Sequence, residues 1–267
     1  MTDDTAGPPP PGPRNRGRSS PKPGTMAWPA SFLYRLAQWT SPHAALLITL
    51  ALGLIPAVLL TFGSAEVYES VVESDGVALL DQPALDAAMA VRSPWMDGAV
   101  TAFTNLAGTV GMPILAGTAM LVLAWRWRSW TPVLLMVSAA AGSLLMTVAG
   151  KDLIGRTRPP LPDAVPPYEH SASFPSGHSL NSVVIAGMVA YLIILRLEAR
   201  WAKLLTIAAA AAFALAVGLS RVYLGHHWFT DVLVAWTLGL AWLAVVITVH
   251  RLLHSRRAAA LDVDAGP

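Results

Sequence analysis

Three short strings of this chain hold the residues whose types and spacing could do chemistry. Together they supply three cations, two histidines and one carboxylate. Cationic side chains bind phosphate oxygens, and an imidazole can act as a nucleophile or move a proton. The set therefore indicates a site that holds a phosphate group and breaks its ester bond. The strings are Lys151-x6-Arg158-Pro159, Pro175-Ser176-Gly177-His178 and Ser220-Arg221-x5-His227-x3-Asp231.

The last string pairs a histidine with a carboxylate. His227 and Asp231 are four residues apart at the start of an apolar stretch, which places them on one face of a helix. A carboxylate that accepts from one imidazole nitrogen leaves the other nitrogen free to attack. The pattern predicts His227 as a nucleophile that Asp231 orients. The alternative is an interfacial histidine beside an aspartate at a helix N-terminus, and His226 is given no role.

The cations lie at the ends of apolar stretches. Arg221 closes one of them, where an arginine without a partner is costly in a membrane and its planar fork suits a phosphate. Lys151 and Arg158 are two helical turns apart, and they point the same way if the helix persists until the prolines that follow. All three are predicted to bind phosphate. Anchoring to lipid headgroups is the alternative, and Arg156, on another face, is interpreted as structural.

The second string stands directly before an apolar stretch. Gly177 lets the backbone approach a ligand closely, and a helix N-terminus offers free N–H groups to an anion. Ser176 adds a hydroxyl donor, and His178 is then placed to protonate a leaving group. The string predicts a phosphate-binding turn, although Pro-Ser-Gly is also common in ordinary turns.

Composition places these strings in a membrane protein. Hydrophobic residues make up 54% of the 267 and charged residues only 13%, whereas a soluble domain carries about 25% charged residues. Six stretches without Asp, Glu, Lys or Arg are long enough, or nearly so, to cross a bilayer as helices. The second begins with polar residues, so its span is expected near 109–126. The absence of cysteine excludes disulfides, thiolate metal sites and cysteine nucleophiles. The stretches are 44–65, 98–125, 129–150, 179–195, 204–220 and 232–249.

The placement of Lys and Arg predicts the orientation, because basic residues concentrate on the cytoplasmic side of membrane proteins. With six spans, 13 of the 18 basic residues fall on one side: five before the first span, two after the second, three after the fourth and three after the sixth. Four of the other five lie in or beside the three strings. Both termini are therefore predicted to be cytoplasmic, and the site is predicted to face the periplasm or the cell exterior.

The chain is predicted to have three regions. Residues 1–42 are rich in proline and are expected to form a disordered cytoplasmic tail. Residues 43–253 form the six-span domain, and residues 254–267 form a cytoplasmic C-terminal tail. The formal net charge of +2 gives no support for nucleic-acid binding.

The three strings, in this order, resemble the motifs of the type 2 phosphatidic acid phosphatase superfamily, and every motif position is filled. The resemblance covers roughly residues 44–250. It implies an all-α membrane fold with six transmembrane helices and an active site at their outer ends. It also implies that no metal or other cofactor is needed, because three fixed cations stabilise the charge of the transferred phosphoryl group.

The resemblance gives each site residue a role. It implies His227 as the nucleophile that forms a phosphohistidine, with Asp231 orienting it. It implies His178 as the acid for the leaving group and then as the base for water. The residues that it implies for binding phosphate oxygens are Lys151, Arg158, Ser176, Gly177 and Arg221.

The function expected is that of a lipid phosphate phosphatase at the outer leaflet. Undecaprenyl pyrophosphate is the first choice of substrate, followed by phosphatidic acid and phosphatidylglycerol phosphate. A membrane phosphotransferase would use the same phosphohistidine, and a lipid or anion transporter would explain the cations but not the histidines. A serine hydrolase at Ser176 lacks the G-x-S-x-G elbow. The expected partners are the lipid substrate and the bilayer, and the oligomeric state is left open.

Overall fold

The chain folds as a bundle of helices. The structure, a computed structural model, describes residues 42–264, and the tail predicted over residues 1–42 lies outside the described residues apart from Pro42. Within the described range there are eight α-helices, two short 3-10 helices (Gly76–Leu80 and Leu161–Asp163) and no strand, which confirms the predicted all-α class. The α-helices are α1 (Pro42–Glu73), α2 (Asp81–Ala90), α3 (Pro94–Asn105), α4 (Gly111–Trp127), α5 (Thr131–Ile154), α6 (Gly177–Ile194), α7 (Arg200–Tyr223) and α8 (Phe229–Asp264).

Five helices in the described part of the chain are long and apolar enough to cross a membrane. They are Leu46–Glu73 within α1, the whole of α5, α6 and α7, and Phe229–Ser255 within α8. Helix α4 has 17 residues and so lies at the lower limit of about 17 residues for a span. The predicted stretch 98–125 is broken between α3 and α4, and α4 begins close to the expected start of the span. The count of six spans stays a prediction.

Helix α6 is the centre of the bundle. Leu180, Val184, Met188 and Leu192 recur every four residues along it, and each has an exposed fraction of 0%. Because residues four apart share one face of a helix, this row forms a continuous apolar side that α5, α7 and α8 cover. By contrast, α1 exposes large apolar side chains such as Phe62, as expected of a helix that faces lipid.

Close packing of α8 against its neighbours depends on glycines. An added Cβ at any of three glycines would come within 2.4 Å of a side chain of α8. Small residues let membrane helices approach closely, and this matters because lipid provides no hydrophobic force between them. These three glycines therefore bring α5, α6 and α7 close to α8, which carries Asp231, and Gly53 of α1 meets Thr248 of α8 in the same way. The pairs are Gly142 of α5 with Trp242, Gly187 of α6 with Leu243, and Gly218 of α7 with Trp236.

Alternating helix directions bring four helix ends together. Helices α5 and α7 end where α6 and α8 begin, and Lys151, Gly177 and Arg221 from these ends line one cavity. At the other end of the bundle, the guanidinium of Arg196 lies 4.7 Å from the ring centroid of Trp127. The basic turns that follow α4 and α6 are therefore at the end away from the cavity. Which side of the membrane each end faces stays a prediction.

Two predicted boundaries differ from the structure. Helix α5 ends before Gly155, which has a left-handed φ of 62°, the conformation that commonly terminates helices at glycine. Lys151 and Arg158 were expected to share a helix face only if the helix continued to the prolines, and this condition is not met. Helix α8 continues to Asp264, so most of the region predicted as a C-terminal tail from residue 254 is helical.

Candidate active site

A cavity of about 780 Å³ lies at the end of the bundle where the four helix ends meet. Its polar end is lined by Lys151, Gly177, His178, Arg221 and His227, and much of the remaining wall consists of apolar side chains of α4, α5 and α6. The cavity therefore brings together five of the eight residues predicted for the site, which come from four separate parts of the sequence.

His227 turns one ring nitrogen toward the cations and the other toward a carboxylate. Its Nε2 lies 3.2 Å from Arg158 Nη1, and its Nδ1 lies 3.5 Å from Asp231 Oδ2. Helix α8 begins at Phe229, so His227 precedes it, and the prediction that His227 and Asp231 share a helix face was wrong. The contact is made instead by a turn in which the Trp228 N–H donates to Asp231 Oδ2 at 3.0 Å.

A glycine-centred turn joins α7 to this histidine. The His226 N–H donates to the Arg221 carbonyl at 3.0 Å, and Gly225 closes the second bond of a Schellman motif. Gly225 has a φ of 68°, and an added Cβ there would lie 2.4 Å from the carbonyl oxygen of Asp163. The chain therefore reverses within a few residues and presents Arg221 and His227 to the same cavity.

The loop between α5 and α6 holds the other two cations. Arg158 donates from Nε to the Ser171 carbonyl at 2.7 Å and from Nη1 to the His226 carbonyl at 2.5 Å. Lys151 Nζ lies 3.2 Å from Ser171 Oγ and also donates to the Ala172 carbonyl. Both cations converge on Ser171, which compensates for the early end of α5. The loop thus holds them at the site without a shared helix face.

The Pro-Ser-Gly-His string forms the N-terminus of α6. Ser176 is the N-cap residue, and its Oγ accepts from the Ser179 N–H at 3.5 Å. Its backbone N–H donates to the Asp231 carbonyl at 3.2 Å, which ties this turn to the start of α8. Gly177 and His178 line the cavity, whereas Ser176 is not among its lining residues. The contact of Ser176 with phosphate stays a prediction.

A carboxylate that the sequence did not point to lies among the cations. Glu169 Oε2 is 2.8 Å from Arg158 Nη2, and Glu169 Oε1 contacts Arg221 Nη2. Glu169 Oε2 is also 4.0 Å from His227 Nε2. The two arginines predicted to bind phosphate therefore bind an anion of the protein itself. The available signal was an acidic residue in the loop between the first two strings.

The electrostatics of the site keep His227 neutral and Glu169 ionised. Burial lowers the pKa of His227 well below 6.5, and the positive charges of Arg158 and Arg221 lower it further. Burial raises the pKa of Glu169, but the charges of Arg221 and Arg158 outweigh burial and hold this pKa at about 2. At neutral pH one ring nitrogen of the imidazole therefore carries a lone pair, as a nucleophile requires.

Two further charged residues, Arg156 and Asp81, form a chain of ion pairs with Asp231. Arg156 Nη1 lies 2.5 Å from Asp231 Oδ1, and Arg156 Nη2 lies 2.6 Å from Asp81 Oδ2. Arg156 was interpreted as structural from the sequence, and Asp81 was not predicted to belong to the site. No periodic pattern connects Asp81 to Arg156, because 75 positions separate them. Only the packing of α2 against the start of α8 brings them together.

Comparison with known proteins identifies the family of this chain. Residues 131–254, which contain all three strings, match the PAP2 superfamily. Over 172 residues the chain is 33% identical to phosphatidylglycerophosphatase B of Bacillus subtilis (strain 168), and the match covers 63% of this chain and 82% of that protein. This chain belongs to the PAP2 superfamily. It is therefore an integral membrane phosphatase of the PAP2 type.

Solved structures of PAP2 proteins share its fold. The crystal structure of the first transmembrane PAP2 type phosphatidylglycerolphosphate phosphatase from Bacillus subtilis superposes with a TM-score of 0.67 at 28% identity, over 73% of this chain and 96% of that one. The structure of Aquifex aeolicus LpxE superposes with a TM-score of 0.50 at 21% identity, over 63% and 94% of the two chains. The second likeness concerns the fold alone.

Proposed function

We propose that this PAP2 enzyme removes phosphate from a membrane lipid through a phosphohistidine formed on His227. The observation that carries the proposal is the position of this imidazole. Its Nδ1 faces the buried Asp231, and its Nε2 lies beside Arg158 at the polar end of the cavity. The carboxylate of Asp231 beside Nδ1 favours the tautomer with its proton on Nδ1, and the lone pair that attacks phosphorus is then on Nε2.

The reaction proceeds in two steps. In the first, His227 Nε2 forms a bond to phosphorus, the bond from phosphorus to the leaving oxygen breaks, and His178 gives that oxygen a proton. In the second, water attacks phosphorus, His178 takes its proton, and the phosphorus–nitrogen bond breaks to release phosphate. Lys151, Arg158 and Arg221 stabilise the charge on the phosphoryl oxygens in both steps.

The three cations Lys151, Arg158 and Arg221 include a donor that is available to bind a phosphate. Arg221 Nε is buried and has no hydrogen-bond partner among the described residues, although Arg221 lines the cavity. A buried donor without an acceptor is costly, and a phosphate oxygen would satisfy it. The guanidinium of Arg221 otherwise pairs with Glu169. A substrate phosphate would therefore take the place of the Glu169 carboxylate between the two arginines.

The apolar part of the cavity supports a lipid substrate. Met112, Met120, Met136, Val137 and Leu144 line it beyond the polar end, on α4 and α5. The names of the two Bacillus subtilis relatives favour phosphatidylglycerol phosphate, and we place this lipid ahead of undecaprenyl pyrophosphate. The distribution of Lys and Arg supports an outward-facing site, so the reaction would take place at the outer leaflet.

The test is phosphate release by the purified protein in detergent micelles with a chelator present. Phosphatidylglycerol phosphate, phosphatidic acid and undecaprenyl pyrophosphate are supplied in parallel. We expect turnover with the chelator, and we expect His227→Ala to lower kcat by several orders of magnitude, about the loss caused by removal of a nucleophile. Labelled phosphate should remain on the wild-type protein after an alkaline quench, and none should remain on His227→Ala.

Arg126→Ala is the matched control. Arg126 is an exposed arginine in the last turn of α4, at the end away from the cavity. Its removal should leave turnover within about twofold, as for surface substitutions away from a site. Retained activity in His227→Ala would refute the phosphohistidine, and loss of wild-type activity on chelation would refute metal-independent catalysis.

A further inference from the structure

Asp231 is completely buried and needs a positive charge close to it. Its carboxylate accepts from Ser173 Oγ at 2.5 Å and from the Trp228 N–H at 3.0 Å, and both of these donors are neutral. The third donor is Arg156 Nη1 at 2.5 Å, on the other carboxylate oxygen. Of these donors only Arg156 carries a full charge. A buried carboxylate without such a partner takes up a proton.

Arg156 is itself held in one orientation. Its Nη1 also donates to Thr230 Oγ1 at 2.8 Å, and its Nη2 donates to Asp81 Oδ2 at 2.6 Å. The guanidinium lies 5.7 Å from the centroid of the Trp228 ring, within the range of a cation–π contact. One guanidinium therefore bridges two carboxylates, one at the start of α2 and one in the first turn of α8.

Asp81 completes the arrangement from outside the three strings. Its Oδ1 accepts from the Thr230 N–H at 2.8 Å, and its Oδ2 accepts from Thr230 Oγ1 at 2.8 Å. Asp81 thus caps a free N–H group in the first turn of α8 from a neighbouring helix, as an N-cap residue does within its own chain segment. It fixes both the helix start that carries Asp231 and the arginine that neutralises it.

We propose that Arg156 and Asp81 are positioning residues for the reaction, which act on His227 through Asp231. Arg156 keeps Asp231 ionised and in place, and Asp231 in turn keeps the proton of the imidazole on Nδ1. Neither Arg156 nor Asp81 lines the cavity, and, unlike Arg158, Arg156 has both Nη atoms bound to side-chain carboxylates, those of Asp231 and Asp81. They are therefore expected to change the reactivity of His227 and not the binding of phosphate. This inference rests on the proposed role of His227 as the nucleophile.

The distinguishing experiment separates kcat from anion binding. Arg156→Ala, Arg156→Lys and Asp81→Asn are assayed with phosphatidylglycerol phosphate in micelles, and the inhibition constant of orthovanadate is measured for each. We expect kcat to fall about 10- to 100-fold in Arg156→Ala, as when an outer partner of a functional histidine is removed. KM and the vanadate constant should stay within about twofold, and added guanidinium should restore part of kcat.

Arg92→Ala is the control for loss of an arginine that only anchors a loop. Arg92 follows α2 and donates to the carbonyls of Tyr223 and Asp163 at 2.8 and 2.7 Å. It should keep kcat within about threefold, a change of less than 1 kcal/mol. The effect of Asp81→Asn on kcat is measured in a double-mutant cycle with Arg156→Ala. Asp81→Asn should have little further effect on kcat once residue 156 is alanine.

Three outcomes would overturn the inference. One is an unchanged kcat in Arg156→Ala. Another is a vanadate constant that weakens in step with kcat, which would make Arg156 a phosphate ligand. The third is an equal loss of kcat in Arg92→Ala with no response to guanidinium, which would make Arg156 merely structural. Absence of wild-type turnover would count against the proposed function, whereas the ratio of variant to wild-type kcat in an active enzyme tests the positioning role.

Discussion

At the scale of single residues, Glu169 binds the two arginines that are predicted to bind the substrate phosphate. Its carboxylate pairs with Arg158 at 2.8 Å and contacts Arg221, close to His227 Nε2. Two guanidinium groups so close together repel each other, and an anion between them removes that repulsion. We therefore expect the carboxylate and a phosphate to compete for one position.

Glu169→Gln is expected to strengthen inhibition by inorganic phosphate. Loss of the internal anion should lower the inhibition constant by about tenfold, which corresponds to 1.4 kcal/mol. The measurement is competition by inorganic phosphate against phosphatidylglycerol phosphate. Glu66→Gln is the control, because Glu66 is an exposed glutamate on α1. Weaker or unchanged inhibition in Glu169→Gln would show that the carboxylate does not compete with phosphate.

The pH dependence of the first step should reveal the electrostatics of His227. An ordinary histidine is half protonated near pH 6.5, whereas burial and the charges of Arg158 and Arg221 lower the pKa of His227 well below that value. The neutral form is the nucleophile, so the rate of phosphoenzyme formation should be lost only as the pH falls through this lowered pKa. The measurement is a single-turnover rate against pH, corrected for ionisation of the substrate phosphate. A midpoint at or above 6.5 would contradict the prediction.

The sequence predicted the site residues better than their partners. Lys151, Arg158, Arg221 and the two histidines stand out because charges and imidazoles are rare in an apolar chain. Partners such as Glu169, Asp81 and Arg156 did not stand out, because nothing in their local spacing indicates a contact across tens of residues. Ser176 was predicted as a phosphate ligand, with an ordinary turn as the alternative, and its role as the N-cap of α6 became apparent only in the structure.

At the scale of elements, the site depends on where helices end. Lys151 and Arg158 were predicted to point the same way if their helix continued to the prolines, and His227 was predicted to share a helix face with Asp231. In the structure Gly155 ends α5 early, and α8 starts after His227. Apolar periodicity predicts that a helix exists but leaves its ends uncertain by a few residues. Lys151 and Arg158 still converge because both contact Ser171 in the loop after α5. His227 still lies beside Asp231 because of the turn before α8.

Gly225→Ala is expected to impair the enzyme more than Gly155→Ala. Both glycines have left-handed φ values, 68° and 62°, so both variants should lose about 1 kcal/mol or more of stability. Only at Gly225 would the added Cβ also meet a backbone oxygen, that of Asp163 at 2.4 Å, whereas Gly155 has open space. The turn that presents His227 should therefore shift in Gly225→Ala alone.

The measurement is thermal unfolding together with kcat for the two glycine variants. The expected result is a larger fall in melting temperature and a larger loss of kcat in Gly225→Ala, because only there must a backbone atom move. Equal kcat in both variants would mean that the turn tolerates the displacement and that it does not position His227.

At the scale of the whole molecule, the chain has one polar end with the cavity and one end with basic turns. Composition and the apolar stretches predicted the membrane class and the all-α fold, since both depend on properties summed over many residues. The meeting of α5, α6, α7 and α8 at one end also follows from their number and order. The packing of glycines against α8 side chains did not follow, because it depends on which helices become neighbours.

Cysteine labelling tests the predicted orientation without background, because the chain has no cysteine of its own. Glu73→Cys places an exposed thiol where α1 ends, and Glu198→Cys places one in the turn between α6 and α7. We expect a membrane-impermeant maleimide to label Glu73→Cys in intact spheroplasts, and Glu198→Cys only after permeabilisation. The reverse pattern would place the cavity on the cytoplasmic side.

The carboxylate between the two arginines also bears on how a catalytic cycle finishes. Three cations that bind a phosphoryl group strongly enough to stabilise it would also retain the inorganic phosphate that is released. The enzyme would then stall. Glu169 remains tethered a few ångströms away throughout, at a local concentration that dissolved phosphate does not match. Its return to Arg158 and Arg221 would expel the product, so the same side chain that delays entry of an anion hastens its departure.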